Sequence, residues 1–453
     1  MNRRVLCLLL AVIMLLSFAA CGASKPADTG SSSNSASAAQ SEETKSAVND
    51  NEAQSAKFTL WHSYVGSDQR TEFMKEIMTQ FRAKYTNYEI DEQQIPRDQY
   101  QTKLKTQAAA GQLPDAFVIW PNAMTIEFSK AGLLADINDL LSRETEWKDK
   151  FIGRALEEFT VDGKTYSAGL GVSVTSIVFY NKALFEKYNL TYPANYAELK
   201  KAITTFKENK VIPIAHGNKA KWPAQSSIIS CLANRYTGSE WLDNVLAKNG
   251  AKFTDPEFVA ALTTFKEITD MGAFNKDFSS IDNVQARDYF YRGDAAMMIE
   301  GSWAVPDLIE KLTPEMKPNI ELGILPVFEG GKGDANVMSG VSATGIAINA
   351  KASPEQKAAV ENLIMFTTNS DAQKLYAKSN IPVSYKDVDI DSSTSDPIYT
   401  KLTRLISDHP LVTVYDSALN SEQADIVNNG LQAIMSNQKT PEQIAEQLQA
   451  AVK

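Results

Sequence analysis

Cysteine is almost absent from this 453-residue chain, which holds only Cys7, Cys21 and Cys231. Cys7 and Cys21 lie in or just after an N-terminal apolar run, so no disulfide framework can staple the body of the chain. Cys231, in "SSIISCLAN", reads as a small buried apolar residue, because nothing local would lower its pKa enough to make it a nucleophile. Histidine is equally scarce. His62, His216 and His409 show no zinc-binding spacing. GxSxG and phosphate-loop motifs are missing as well. No catalytic residue, metal or cofactor is therefore expected. Positive charge is also short: the formal net charge is −10, and residues 1–20 contain two arginines and no acid, so the remainder carries −12. That balance excludes nucleic acid and anionic lipid as partners of the folded part.

Long apolar runs are missing too. The longest, Val5 to Leu16, falls short of the roughly 20 residues that span a bilayer. With Arg3 and Arg4 before it and small residues after it, it reads as a secretory signal over residues 1–20. The segment "SFAACG" resembles a bacterial lipobox, with Phe18 in place of the usual aliphatic residue. The resemblance implies a lipidated Cys21, carrying palmitate or similar acyl chains, on the outer face of a bacterial cell membrane. More than one acyl chain is what stable anchoring needs. Residues 21–56 hold almost no large apolar side chain and read as a flexible tether.

From Lys57 the texture changes. "KFTLWHSY", "YEIDEQQI" and "DAFVIW" read as strands, and the segments between them as amphipathic helices, for example Phe73, Ile77 and Phe81 spaced by four. This β-α-β-α rhythm predicts a parallel, doubly wound sheet. "TSIVFYN" and "VIPIAHG" repeat the strand pattern. Helix starts are marked by Asp255 with Pro256, and by the pairs Ser353/Gln356, Ser370/Gln373 and Thr440/Gln443. The number of elements calls for two α/β lobes.

Six segments carry a family likeness in order: "GQLPDAFVIW" with "AGLLADI", "SIVFYNKALFEKYNLTYPANYAEL", "GDAAMMIEGSW", "GILPVFEGGKG", "GIAINAKASPEQKAAVENLIMFTTNSDAQ" and "NIPVSY". Together they resemble the extracellular solute-binding proteins of ABC importers, the sugar-binding family that includes maltose-binding protein. The resemblance implies an α/β, two-lobed periplasmic-binding-protein-like fold with a hinge and an interlobe ligand cleft. By the same likeness, lobe one is residues 57–173 plus 326–370, and lobe two is residues 174–325 plus 371–453. It further implies a monomer that captures a sugar or oligosaccharide and delivers it to the transmembrane subunits of an ABC permease.

A pyranose needs an aromatic plane for its C–H face and polar groups for its hydroxyl edge. In this fold, ligands sit outside the carboxyl ends of the strands. Trp303, after the apolar run 295–299, matches the family's stacking tryptophan, and Trp120 a second cleft aromatic. Strand alternation puts Trp61 and His62 on opposite faces, with Trp61 taken as core and His62 as a donor to a hydroxyl. Ser63 and Tyr64 follow at the same strand end. Trp222 lies on a loop where the family often contacts ligand, with core packing the equal alternative. Trp147 and Trp241 read as packing residues. The polar candidates are Asn122, Ser173, Ser302, Gly340, Ser342 and Asp425. No tryptophan occurs near Gln423 and Asp425, where maltose-type members have one, and Val174 stands about where they have an acidic contact. Both departures argue against maltose itself. The rival readings are a polyamine, iron or peptide in the same fold, and an extracellular glycosidase, for which no paired-carboxylate motif is present.

Overall fold

The structure, a computed structural model, describes residues 55–66, 69–388 and 395–452. Strand β1 (Ala56–His62) buries Phe58 and Leu60 on alternate positions and becomes buried on both faces toward its end. Helix α1 (Gln69–Lys84) follows and seats Phe73, Ile77 and Phe81 in the core, as the four-residue spacing predicts. Strand β2 (Tyr88–Gln94) then pairs parallel with β1, and helix α2 (Arg97–Ala109) buries Tyr100 and Leu104. Tyr100 places its hydroxyl 2.9 Å from the carbonyl of Trp61 and 2.8 Å from that of Val118, tying α2 to two strands. Strand β3 (Ala116–Ile119), helix α3 (Ala123–Lys130) and the short β4 (Leu134–Ala135) complete the unit.

The first sheet runs β2, β1, β3, Gly345–Asn349, β4. The three leading strands are parallel, but Gly345–Asn349 is antiparallel to both its neighbours, so the expected all-parallel sheet is corrected to a mixed one. The reason is connectivity. A parallel neighbour needs a crossover segment, whereas this strand arrives straight from Met338–Ser342 and enters from the opposite end. The core on this sheet draws on residues 56–170 and 346–385.

A second sheet, in the order Ile320–Gly323, Ile177–Asn181, Ala295–Glu300, Ile212–Ala215, carries its own core. The helices Tyr196–Glu208, Pro256–Asp270, Ser421–Met435 and Pro441–Ala450 pack there. Between the two cores, Val172–Val174, Met338–Ser342 and Leu411–Val412 form a three-stranded sheet where the chain passes from one lobe to the other.

Capping chemistry explains several helix starts. Ser353/Gln356 and Thr440/Gln443 form reciprocal boxes. At Ser370–Lys378 the expected cap shifts by one residue: Asn369 accepts from the Ala372 amide, and Gln373 accepts from the Ser384 amide instead. Asp255 precedes Pro256 as expected, but its carboxylate is taken by the Trp241 indole and the Lys252 amide. Cys231 is fully buried, and Trp147 is buried with its indole N–H on Thr368.

Candidate ligand-binding cleft

All six residues of Ala295–Glu300 are buried. Gly301 ends the strand, Ser302–Ala304 make one tight turn, and Val305–Lys311 continues as a helix with Pro306 in its first turn. The Trp303 ring folds back over Gly301, where any Cβ would collide with it. Its Nε1 donates to Glu300 Oε1 at 2.8 Å. Glu300 also accepts from the Gly301 amide (3.3 Å), Asn283 Nδ2 (2.9 Å) and Arg287 Nε (3.2 Å), and Arg287 donates to Asp307 at 2.9 Å. Glu300, Arg287 and Asp307 are all buried. A half-buried indole is thus fixed by a buried carboxylate that is itself paired. Behind it lies a polar cavity lined by His216, Asn283, Arg287 and Glu300, and the burial of His216 pushes its pKa down to about 4.

Trp222 stands edge-on to Trp303, with ring centroids 5.6 Å apart and planes at 67°. It precedes Pro223 and the wide π-helical turn Ala224–Ile229, a geometry that recurs at functional sites. The facing lobe reaches over both rings. The Arg97 guanidinium, from the first residue of α2, lies 5.5 Å from the Trp222 ring and 5.9 Å from that of Trp303. Its side chain is exposed, with groups of both lobes around it. Desolvation by those groups, with Arg70 nearby, pushes its pKa down to about 10, so it stays charged at neutral pH.

Next to Trp303 opens a narrow cleft whose unfilled space, open solvent included, comes to about 410 Å³. Tyr64, Arg70 and Phe73 line it from the first lobe, Ser173 from the crossing strand, and Ser302 with Trp303 from the second lobe; Tyr376 and Pro382 close one side. Tyr64 pairs its hydroxyl with Thr344 at 3.1 Å, and Arg70 lies 6.0 Å from its ring. Ser302 is buried and accepts from the Val174 amide at 3.2 Å. Asp416, on the short helix Tyr415–Ala418 that packs against α3, is likewise solvent-accessible but crowded. The protein around it raises its carboxyl pKa, while its exposure and the pull of Arg97 limit the rise.

The structure thus brings Trp303, Trp222, Tyr64, Ser173 and Ser302 together. His62 is directed elsewhere: it is buried, its Nε2 lies 2.8 Å from Glu92, and its Nδ1 accepts from the Tyr64 amide at 3.3 Å. Both ring nitrogens are committed within lobe one, so none remains for a hydroxyl. Trp61 is buried as expected, with Lys103 over its ring. Ser63 is half-buried at the strand end and is not among the lining residues. Trp120 is half-buried against Tyr100, 5.8 Å between centroids, and Asn122 opens α3 in a left-handed conformation (φ 54°) without capping it. Gly340 and Ser342 belong to the crossing sheet. The Gly340 carbonyl accepts from Arg154, and the Ser342 amide donates to Glu158. Asp425 is exposed on Ser421–Met435, away from this cavity. Arg70, Arg97, Glu300 and Asp416 were not anticipated. Arg70 and Arg97 sit at the first β-to-α and second β-to-α junctions, the strand ends that nominated Tyr64, and that signal was available.

Residues 67–374 match the family described as bacterial extracellular solute-binding protein. The chain belongs to that family. The multiple sugar-binding protein of Streptococcus mutans serotype c is 25% identical to this solute-binding protein over 335 residues, covering 73% of this chain and 76% of the relative. A structure described with xylan utilization by the thermophile Caldanaerobius polysaccharolyticus superposes with a TM-score of 0.80 at 26% identity, covering 88% of this chain and 100% of the other. A chitin oligosaccharide binding protein superposes equally well, TM-score 0.80 at 24% identity over 87% and 98% of the two chains. The two-lobed α/β solute-binding fold is shared with these structures.

Proposed function

We propose that this solute-binding protein is the membrane-anchored, sugar-capturing component of an ABC import system. The observation that carries the reading is the pair of indoles, Trp303 and Trp222, presented at a strand end opposite Tyr64 and Arg97 of the other lobe. An aromatic plane faced by polar groups is what a pyranose ring requires. The sugar-binding name of the Streptococcus relative and the chitin oligosaccharide protein among the neighbours support it. Arg70 and Arg97 weigh against a polyamine or ferric ion, since like charges would meet in the cleft.

Ligand is held between the lobes, by Trp303, Trp222, Tyr64, Ser173 and Ser302, and closure follows from tighter binding to the closed form. The three crossing strands serve as the hinge between the lobe built on the first core and the lobe built on the second. The closed monomer hands the sugar unchanged to its permease, without catalysis. Cys21 lies outside the described residues, where it would be the lipid attachment point. Among the described residues, no helix is long and apolar enough to cross a membrane. The test is a calorimetric titration of the protein with a saccharide panel beside spermidine and ferric citrate. A saccharide should bind and leave chromatographically unaltered. Binding of spermidine or ferric citrate alone, or sugar cleavage, would contradict the proposal.

A further inference from the structure

Resting on the saccharide reading above, we propose that the sugar this cleft takes is acidic: a saccharide bearing a uronic-acid carboxylate, bound by Arg97 with Arg70 beside it. Both arginines stand in the cleft, Arg97 over the indole pair and Arg70 on the cavity wall. Among the described residues neither has a carboxylate within 4.0 Å, the ion-pair limit, nor a hydrogen-bond acceptor. Among the described residues, each therefore keeps its fork of donors free. An arginine fork with free donors beside an indole gains a charge-assisted, bidentate contact when a matching anion arrives.

The neighbouring acids are already committed or out of range. Glu300 spends both oxygens on Trp303, Gly301, Asn283 and Arg287, and Asp307 pairs with the same arginine. Asp416, on the opposite lobe, is not within ion-pair distance of Arg97. Glu300, Asp307 and Arg287 together leave one excess negative charge, which favours keeping Arg97 protonated in place without neutralising it by contact. Geometry completes the match. A uronate carries its carboxylate at the edge of the pyranose ring, so a ring taken up beside Trp303 can present that edge to the guanidinium that lies over the indole pair. Arginine suits this role better than lysine, because its planar fork pairs both carboxylate oxygens.

The experiment is calorimetry on the full chain in detergent. The ligands are oligogalacturonate and glucuronoxylan fragments, each against its carboxyl-reduced, neutral form. The acidic form of at least one series should bind on the order of ten- to a hundred-fold tighter, the range of a charge-assisted pair. Arg97→Gln should erase that preference, so that acidic and neutral forms bind the variant alike, with the unliganded melting temperature as the control for folding. Neutral forms that bind as well as acidic ones, or a preference that survives in Arg97→Gln, would overturn the inference and leave the sugar reading intact. If these and all other saccharides fail to bind while spermidine or ferric citrate does, both fall.

Discussion

The two walls of the cleft are built differently. The second lobe offers flat apolar rings held rigidly: Trp303 is folded onto Gly301 and hydrogen-bonded to a buried, arginine-paired Glu300. The first lobe offers long cations and a phenol at strand ends, with Arg97 and Arg70 lacking any ion-pair partner among the described residues. A rigid plane pays its ordering cost during folding, so it binds a ring face with little further loss. Flexible guanidinium groups pay on binding, but they can follow a ligand edge as the lobes close. On the proposal above, one wall would supply affinity for any sugar face, and the other would supply choice among sugars.

Removing the support of the rigid wall should have the largest effect. Glu300→Ala leaves Arg287 and the Trp303 N–H without their shared acceptor in a buried setting, and breaking such a pair costs about 3–5 kcal/mol. Chemical denaturation should register that loss, whereas Arg97→Gln should stay within about 0.5 kcal/mol of the parent. Equal losses in both variants would erase the contrast between the walls.

Acid should act on the two lobes in different pH windows. His216, in the second lobe, is held neutral by burial, at about 4 against an ordinary 6.5. The unfolded chain therefore takes up its proton first, and stability falls as pH drops from 6.5 toward 4. Glu92, in the first lobe, is held down to about 2 chiefly by His62, with Arg82 also donating. Its contribution is present above the ordinary value of 4.5 and is lost as pH falls from there toward 2. Thermal unfolding followed from pH 7 to pH 2 should show both declines. His216→Asn should flatten the upper one and leave the lower.

The position of Trp303 was legible in the chain, because a buried apolar run ending at Gly-Ser-Trp places its last aromatic at a strand end. Both capping boxes at Ser353 and Thr440 were legible for the same local reason. What pairing decides was not. His62 looked free for a ligand until β2 laid Glu92 beside it, two residues from its direct partner Gln94. The antiparallel entry of Gly345–Asn349 depends on a strand more than 200 residues after β3. Arg97 reads as an ordinary solvated helix start, and only the packing of the opposite lobe reveals two indoles beneath it. At Ser370 the cap moved because Asn369, an equally good acceptor, stands one residue earlier.

The most direct measurement is the saccharide affinity of Trp303→Ala, taken by calorimetry beside the melting temperature of the unliganded protein. Loss of a stacking platform should weaken binding by on the order of thirtyfold, with Trp303→Phe keeping part of the affinity. The melting temperature should fall less than it does for Trp147→Ala, a fully packed tryptophan whose truncation costs about 3–5 kcal/mol. A Trp303→Ala protein that binds saccharide normally but melts far earlier would show that this indole serves the core, and the cleft would lose its platform.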